Sequence, residues 1–256
     1  MAFEYATIEE IMSTPGLRLV LSRGVPGPWG EAIKSVLAHK QLDYVAAAQK
    51  VGAENPELMA WTGQASAPVL VWNEERPCVS WLEKLHLVER LAPQRPLLGS
   101  SPEARAAIIG ICHEIAGEGG LGWNRRTQLT GWVMETGAAP PFMSTMAARY
   151  GYSEATYASC GDQLARQLEW LASLLAAQSA RGSRYLVGDE VSAADFYLAN
   201  FVGMLDPLPH AMNPMPDGMR ASYSYRPDAL AAALSPSLLE YRDQIYAHHI
   251  QTPLEF

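Results

Sequence analysis

The stretch Ala67-Pro68-Val69-Leu70-Val71 sets a proline at the mouth of a strand-like apolar run. Proline has no N–H and a fixed φ, so a central ladder excludes it, while the first residue of a strand tolerates it. In a tight turn before a strand an X-Pro bond also occurs cis. A cis bond would turn the preceding backbone N–H and C=O outward, free to pair with a peptide-like ligand; a trans bond would leave Pro68 a residue that merely begins a strand. A second candidate is the glycine-rich stretch at residues 117–126, which joins Trp123 to Arg125 and Arg126. It follows no strand, so it does not read as a phosphate-cradling loop, and a helix break with a packed Trp and solvated arginines is the plainer reading. Cys112 and His113 are adjacent on a predicted amphipathic helix and therefore do not face each other as a nucleophile and base would. His248-His249 lacks helical ligand spacing and a nearby carboxylate pair, so no metal is expected. Cys78, Cys112 and Cys160 are odd in number and far apart, which suits a reducing compartment and neither a disulfide framework nor a zinc site.

The elements that must position these residues follow from apolar periodicity and punctuation. Leu17-Arg18-Leu19-Val20-Leu21 reads as a strand, ended by Ser22-Arg23-Gly24 and by Pro26-Gly27-Pro28. A helix over residues 29–40 follows, with Pro28 placed to start it and Ile33, Val36 and Leu37 on one face. Residues 42–45 read as a second strand, and Asn55-Pro56-Glu57-Leu58 opens a short helix ending near Gly63. Pro68 introduces a third strand, and Pro77-Cys78-Val79 reads as a fourth across the turn at 73–76. Ser80 stands at the N-cap of a helix carrying Trp81, Leu82, Leu85, Val88 and Leu91. The prolines, glycine and serines of residues 93–102 form a linker, dividing the chain into a domain at 1–92 and another at 103–256.

Everything beyond the linker reads helical. Ala107, Ile108, Ile111 and Ile115 share one face, and Leu164, Leu168, Leu171 and Leu175 share another. Ser192 and Asp195 are spaced as a capping box, with Val191 and Phe196 at the staple positions. The segment from Met204 to Pro227, rich in proline and methionine, reads as irregular: either a pliable cover over a ligand or a packed surface loop. The 256 residues, 48% hydrophobic and 18% charged, have ample core for such a globular chain. A net charge of −8 argues against a nucleic-acid partner. No apolar run reaches transmembrane length, and the N-terminal residues do not form a signal peptide, so no membrane is expected and the location expected is cytoplasmic.

A βαβ–α–ββα unit with a proline before its third strand, a linker and an all-helical remainder resembles the glutathione transferase superfamily, in a divergent bacterial-type form. The resemblance covers most of the chain. It rests on residues 27–44, beginning Gly27-Pro28-Trp29-Gly30, and on Ala67-Pro68-Val69-Leu70-Val71. Val79-Ser80 and Leu186-Val187-Gly188-Asp189 with Val191-Ser192-Ala193-Ala194-Asp195 complete it. It implies an α/β thioredoxin-like N-terminal domain that binds glutathione, followed by an all-α domain that presents a small apolar electrophile. The backbone of Ala67, before a cis Pro68, would pair with the cysteinyl part of the tripeptide. Ser80 would hold the γ-glutamyl carboxylate at the positive end of its helix, within a site flanked by Trp29, Val79 and Trp81.

Trp123 would face the electrophile, and Arg126 or Arg125 would hold an acid group. A homodimer and a role in detoxification also follow from the resemblance. Two departures stand out. Gly27 occupies the position of the family's usual Ser or Cys, and Val79 that of an acidic residue. Ser22, Arg23 and the first N–H groups of the helix after Pro28 then become the candidates to stabilise a glutathione thiolate. A non-catalytic carrier or regulator is the alternative these departures support. A thiol–disulfide oxidoreductase is disfavoured, because Gly27-Pro28-Trp29-Gly30 carries no thiol where Cys-x-x-Cys would stand.

Overall fold

The computed structural model describes residues 4–137, 139–140 and 142–256. The chain divides into two compact units. One comprises the residues through Pro96 together with Pro209–Met215 and His249–Phe256; the other comprises Leu97–Leu208 and Pro216–His248.

The first unit is built on a three-stranded sheet of order β2-β1-β3. β1 (Leu17–Ser22) lies at its centre because its side chains are buried on both faces. β2 (Val45–Gln49) runs parallel to it, with Ser22 opposite Gln49. β3 (Val69–Trp72) runs antiparallel, with Leu17 opposite Trp72 and Val20 opposite Val69. Because the two strands run antiparallel, the C-terminal end of β1 lies beside the start of β3. Val20, Leu58, Val69 and Val71 form a buried cluster, against which Ala67, Val79 and Trp61 pack.

Two strand expectations need correction. The second strand, expected at 42–45, starts only at the last of these residues, because Leu42 closes the preceding helix α2 (Pro28–His39): its N–H donates to the carbonyl of Leu37 at 3.0 Å, the 6→1 bond of a Schellman end. The strand begins at Val45 and is rich in alanine, a residue with little β preference of its own. The fourth strand is reduced to a single antiparallel pair, Leu70 with Cys78. Pro77 has no N–H to extend that ladder, and the N–H of Val79 donates to the Glu83 carboxylate at 3.1 Å. An N-terminal helix, α1 (Ile8–Ser13), was not foreseen, although Thr7 and Glu10 form its capping box. α3 (Pro56–Thr62) and α4 (Trp81–Leu91) lie where the sequence predicts them.

The second unit holds α5 (Pro102–Ala116), α6 (Leu121–Glu135), α7 (Met143–Arg149), α8 (Glu154–Ser179), α9 (Ala193–Val202), α10 (Asp217–Ser224), α11 (Asp228–Ala233) and α12 (Pro236–His249). The leucine stripe of α8 is buried throughout. α8 packs against α6 at Gly131, where a β-carbon would come within 2.3 Å of the Tyr157 ring. α10 corrects the expectation of an irregular segment: Asp217 to Ser224 form a helix between Pro216 and Pro227, with Met204 and Met215 buried nearby in sequence.

Every residue of α9 is buried, and the chain leading into it is anchored by Asp195. Its carboxylate accepts from the N–H of Leu186 at 2.8 Å, the N–H of Ser192 at 2.6 Å and the hydroxyl of Ser192 at 2.8 Å. The Tyr241 hydroxyl donates to it as well. Asp195→Ala should therefore cost at least about 3 kcal/mol, since buried donors lose their acceptor. Asp195→Asn should cost less. A denaturant midpoint unchanged in Asp195→Ala would refute this anchoring role.

Candidate functional site

The site candidates of the first unit gather where β1 ends and β3 begins. The Ala67–Pro68 bond is cis, Pro68 is buried, and Ala67 is half-buried in the loop that follows α3. At the end of β1, Ser22 is half-buried, and its hydroxyl oxygen accepts a hydrogen bond from Gln49 Nε2 at 2.6 Å. Arg23 is exposed, with its guanidinium 5.7 Å from the centre of the Tyr5 ring. Burial, and then the charge of Glu31, push the Tyr5 hydroxyl up to about 12, while Arg23 acts in the opposite sense.

Gly27 is the N-cap of α2. Its backbone is extended at φ −68°, and a β-carbon placed there would meet nothing within 4 Å. Pro28 occupies the first turn of α2 and Trp29 follows it, half-buried. The first-turn N–H groups of a helix have no partner within the helix, so this end of α2 favours an anion.

The other arm is the start of α4. Ser80 is exposed and caps the helix, its hydroxyl oxygen accepting from the N–H of Glu83 at 3.1 Å. One oxygen of the Glu83 carboxylate accepts in return from the N–H groups of Ser80 and Val79, both at 3.1 Å. The other pairs with Arg76. Partial burial opposes the charged form of Glu83, but the bonds from Ser80, Arg76 and Val79 outweigh it and hold the carboxyl at about 2. Trp81, half-buried, begins the helix.

Beneath both arms lies Lys84, only 2% exposed. Its ammonium donates to the carbonyl of Pro68 at 3.0 Å and to that of Val79 at 2.6 Å. Burial pushes it down to about 7.

Sequence reasoning missed Glu83, Lys84 and Gln49. The first two left signals. Ser80-Trp81-Leu82-Glu83 has capping-box spacing, and Lys84 lies three residues after Trp81 and four before Val88, on the apolar stripe of the helix. Gln49 left none, because only the parallel register brings it to Ser22.

Trp123 and Arg126 belong to the second unit, where the helix break spans only residues 117–120 and both residues lie on α6. Trp123 meets the Tyr150 ring edge-on at 4.9 Å. Arg126 donates to the Tyr223 hydroxyl at 3.1 Å and lies 5.6 Å from the centre of that ring. Arg125 is fully buried rather than solvated. It donates to the carbonyls of Tyr223 at 3.0 Å and Tyr225 at 2.7 Å, and to Gln128 at 2.6 Å. It closes the C-terminal end of α10, whose carbonyls favour a cation, and burial followed by the charge of Arg126 brings it down to about 10.

Cys112 and Cys160 are buried. Burial raises both thiols, so neither suits a nucleophile. Among the described residues no group of three or more His, Cys, Asp or Glu side chains could hold a metal, and no helix is long and apolar enough to cross a membrane.

Residues 154–243 match the family model described as "Glutathione S-transferase, C-terminal domain". Solved structures share the fold across nearly the whole chain. A glutathione transferase family member from Pseudomonas fluorescens, with two glutathione molecules bound, is 14% identical with a TM-score of 0.65, covering 94% of each chain. A glutathione S-transferase from Methylobacterium radiotolerans, in complex with glutathione sulfonate, is 18% identical with a TM-score of 0.62, covering 91% of each chain. A rice enzyme in complex with glutathione is 15% identical with a TM-score of 0.61, covering 94% of each chain. Among curated proteins no match is found. The family match is thus to residues 154–243, and the chain as a whole shares the fold of these structures, with a small mixed sheet in the first unit and helices in the second.

Lys84 generates a prediction whose sign follows from proton counting. Its folded value, about 7, lies below the ordinary 10.5, so between these values the unfolded chain binds more protons. Stability should therefore rise with pH from about 7 towards 10.5. Lys84→Met should flatten that rise in melting curves. An equal slope in both proteins would show that the ammonium is not desolvated.

Proposed function

We propose that the first unit binds glutathione and that the protein adds the glutathione thiolate to a small apolar electrophile. The observation that carries this reading is the cis Ala67–Pro68 bond, with Ala67 half-buried, at the start of the strand that pairs antiparallel with β1, whose last residue is Ser22. The relatives solved with glutathione or its sulfonate support it through their shared fold. In this reading the first domain, about residues 1–92, grips the tripeptide. The Ala67 backbone pairs with its cysteinyl part, Ser80 holds the γ-glutamyl end, and Trp29, Val79 and Trp81 flank it. The thiol lies toward Ser22, Arg23 and the first turn of α2, whose donors favour the thiolate over the thiol.

The thiol loses its proton to solvent, and the thiolate forms the new C–S bond as a π or strained C–O bond of the electrophile breaks, the released electron pair taking a proton from solvent. Trp123 and Arg126 of the helical domain are the side chains that the resemblance assigns to the electrophile. Catalysis then rests on a lowered thiol pKa and on proximity. A cytoplasmic homodimer is the working state, on the resemblance alone. Gly27 favours a second reading, a non-catalytic carrier of glutathione, because it brings no hydroxyl or thiol to the first turn of α2.

Glutathione at ten times its Kd should raise the melting temperature by about 3 °C, and no shift at millimolar glutathione would refute both readings. Where it binds, ultraviolet absorbance of a bound thiolate near neutral pH marks the transferase, and an unshifted thiol marks the carrier. Gly27→Ser meets open space and adds an N-cap hydroxyl, so it should fold with stability raised by a few tenths of a kcal/mol. It should also raise the thiolate fraction of bound glutathione. A lower fraction, or a misfolded variant, would show that the first turn of α2 is not the thiol's position.

A further inference from the structure

We infer that Gln49 and Asn55 are positioning residues that turn the Ser22 hydroxyl hydrogen toward the ligand thiol. The inference rests on the glutathione reading for the identity of that thiol, and on hydrogen-bond polarity for the rest. The chain of bonds begins at a backbone group whose direction is beyond doubt. The N–H of Lys50 donates to Asn55 Oδ1 at 3.0 Å. The Asn55 amide nitrogen is thereby directed at acceptors, and it has four: the carbonyls of Lys50 at 2.9 Å, Ala53 at 3.1 Å and Ala65 at 2.9 Å, and Gln49 Oε1 at 3.1 Å. Flipping this amide would aim an oxygen at four oxygens and an NH₂ at an N–H, so its orientation is settled by its neighbours.

The orientation of Gln49 follows in turn. Facing the Asn55 NH₂, it must present Oε1, which leaves Nε2 to donate to Ser22 Oγ at 2.6 Å. Gln49 is only 6% exposed, so water does not compete for that bond. A serine hydroxyl has one hydrogen and two lone pairs. With one lone pair occupied by Gln49, the hydrogen remains available, and no acceptor among the described residues takes it. The relay thus occupies a lone pair of Ser22 and leaves its hydrogen to donate, at the end of β1 beside which β3 begins, the polarity a thiolate requires.

Asn55 contributes in a second way. It is the N-cap residue of α3, in a left-handed backbone conformation at φ 45°, yet its side chain makes no cap bond. Its amide is used instead to hold Ala65, two residues before Ala67. The thiol-facing hydroxyl and the loop that carries the peptide-facing backbone are therefore tied to one side chain.

Two measurements test this, one of them without glutathione. In Ser22→Cys, the Gln49 amide would donate to a sulfur and stabilise its thiolate. Adding Gln49→Glu would replace that donor by an anion. The pH dependence of iodoacetamide alkylation at position 22, followed by site-resolved mass spectrometry, should show the thiolate fraction at neutral pH falling about tenfold on adding Gln49→Glu, a shift of about one pKa unit. In the glutathione complex, Ser22→Ala and Gln49→Glu should each cut the bound thiolate fraction at neutral pH by about tenfold. The double variant should lose no more than either alone, because both act on the same hydrogen.

A Gln49→Glu substitution that leaves both titrations unmoved, or whose effect persists fully in the Ser22→Ala background, overturns the inference. If the wild-type protein takes no glutathione, the functional reading fails while the alkylation experiment still decides the relay. Should Gln49→Glu not fold, Gln49→Met removes the donor without adding charge and should shift the alkylation profile in the same direction, by less.

Discussion

The Lys84 ammonium holds the carbonyls of Pro68 and Val79 together from inside the first unit. No carboxylate pairs with it among the described residues, and an ammonium moved out of water carries a penalty of several kcal/mol unless it is well bonded. The two carbonyls are that bonding, so neither can move away without exposing the cost. Their positions define the site. Pro68 is where β3 begins and Val79 is where α4 begins, and these are the two segments that would grip the two ends of a peptide ligand. A lysine on the inner face of α4 therefore sets the spacing between Ala67 and Ser80 more directly than either residue does itself.

Around that constraint, the site proposed for glutathione differs in two places from what the resemblance implies, each with its own physical character. At α2 the departure is a vacancy: Gly27 leaves open space at a helix start whose N–H groups still favour an anion. At α4 it is an occupant. The Glu83 carboxylate, held charged by Arg76 and by backbone donors, already accepts from the N–H groups of Val79 and Ser80. A ligand carboxylate arriving there must share those donors or displace Glu83 onto Arg76, an exposed pair that water weakens. The acidic group absent at Val79 is thus present four residues later in the chain, as Glu83, whose carboxylate bonds the Val79 N–H.

Much of this was legible along the chain because its causes are local. Pro68 announced the start of β3 by lacking an N–H, Pro28 the start of α2, and Ser80 the cap of α4. The leucines of α8 announced its buried face by their spacing. The strand at 45–49 was hidden because alanine has little strand preference and because the Schellman end of α2 reaches Leu42. The fourth strand failed through competition: Val79 gives its N–H to a side chain, and Pro77 has none to give. Arg125 and Arg126 look equivalent in sequence, yet one is used up closing α10 while the other faces a tyrosine hydroxyl, a difference of about a hundred degrees around a helix.

The sequence by itself determined where elements begin and end, and with them the residue types offered to a ligand, because caps, prolines and apolar periods act over a few residues. It also determined the absence of a side chain at position 27. Only the tertiary structure decided which groups meet. Ser22 faces Gln49 through a parallel register between strands separated by a helix, and β1 ends beside the start of β3 through an antiparallel one. Lys84 reaches Pro68 across sixteen residues. Such pairings depend on how strands and helices pack, and no local pattern encodes them, since hydrogen-bond partners distant in sequence are selected by the geometry of the folded backbone.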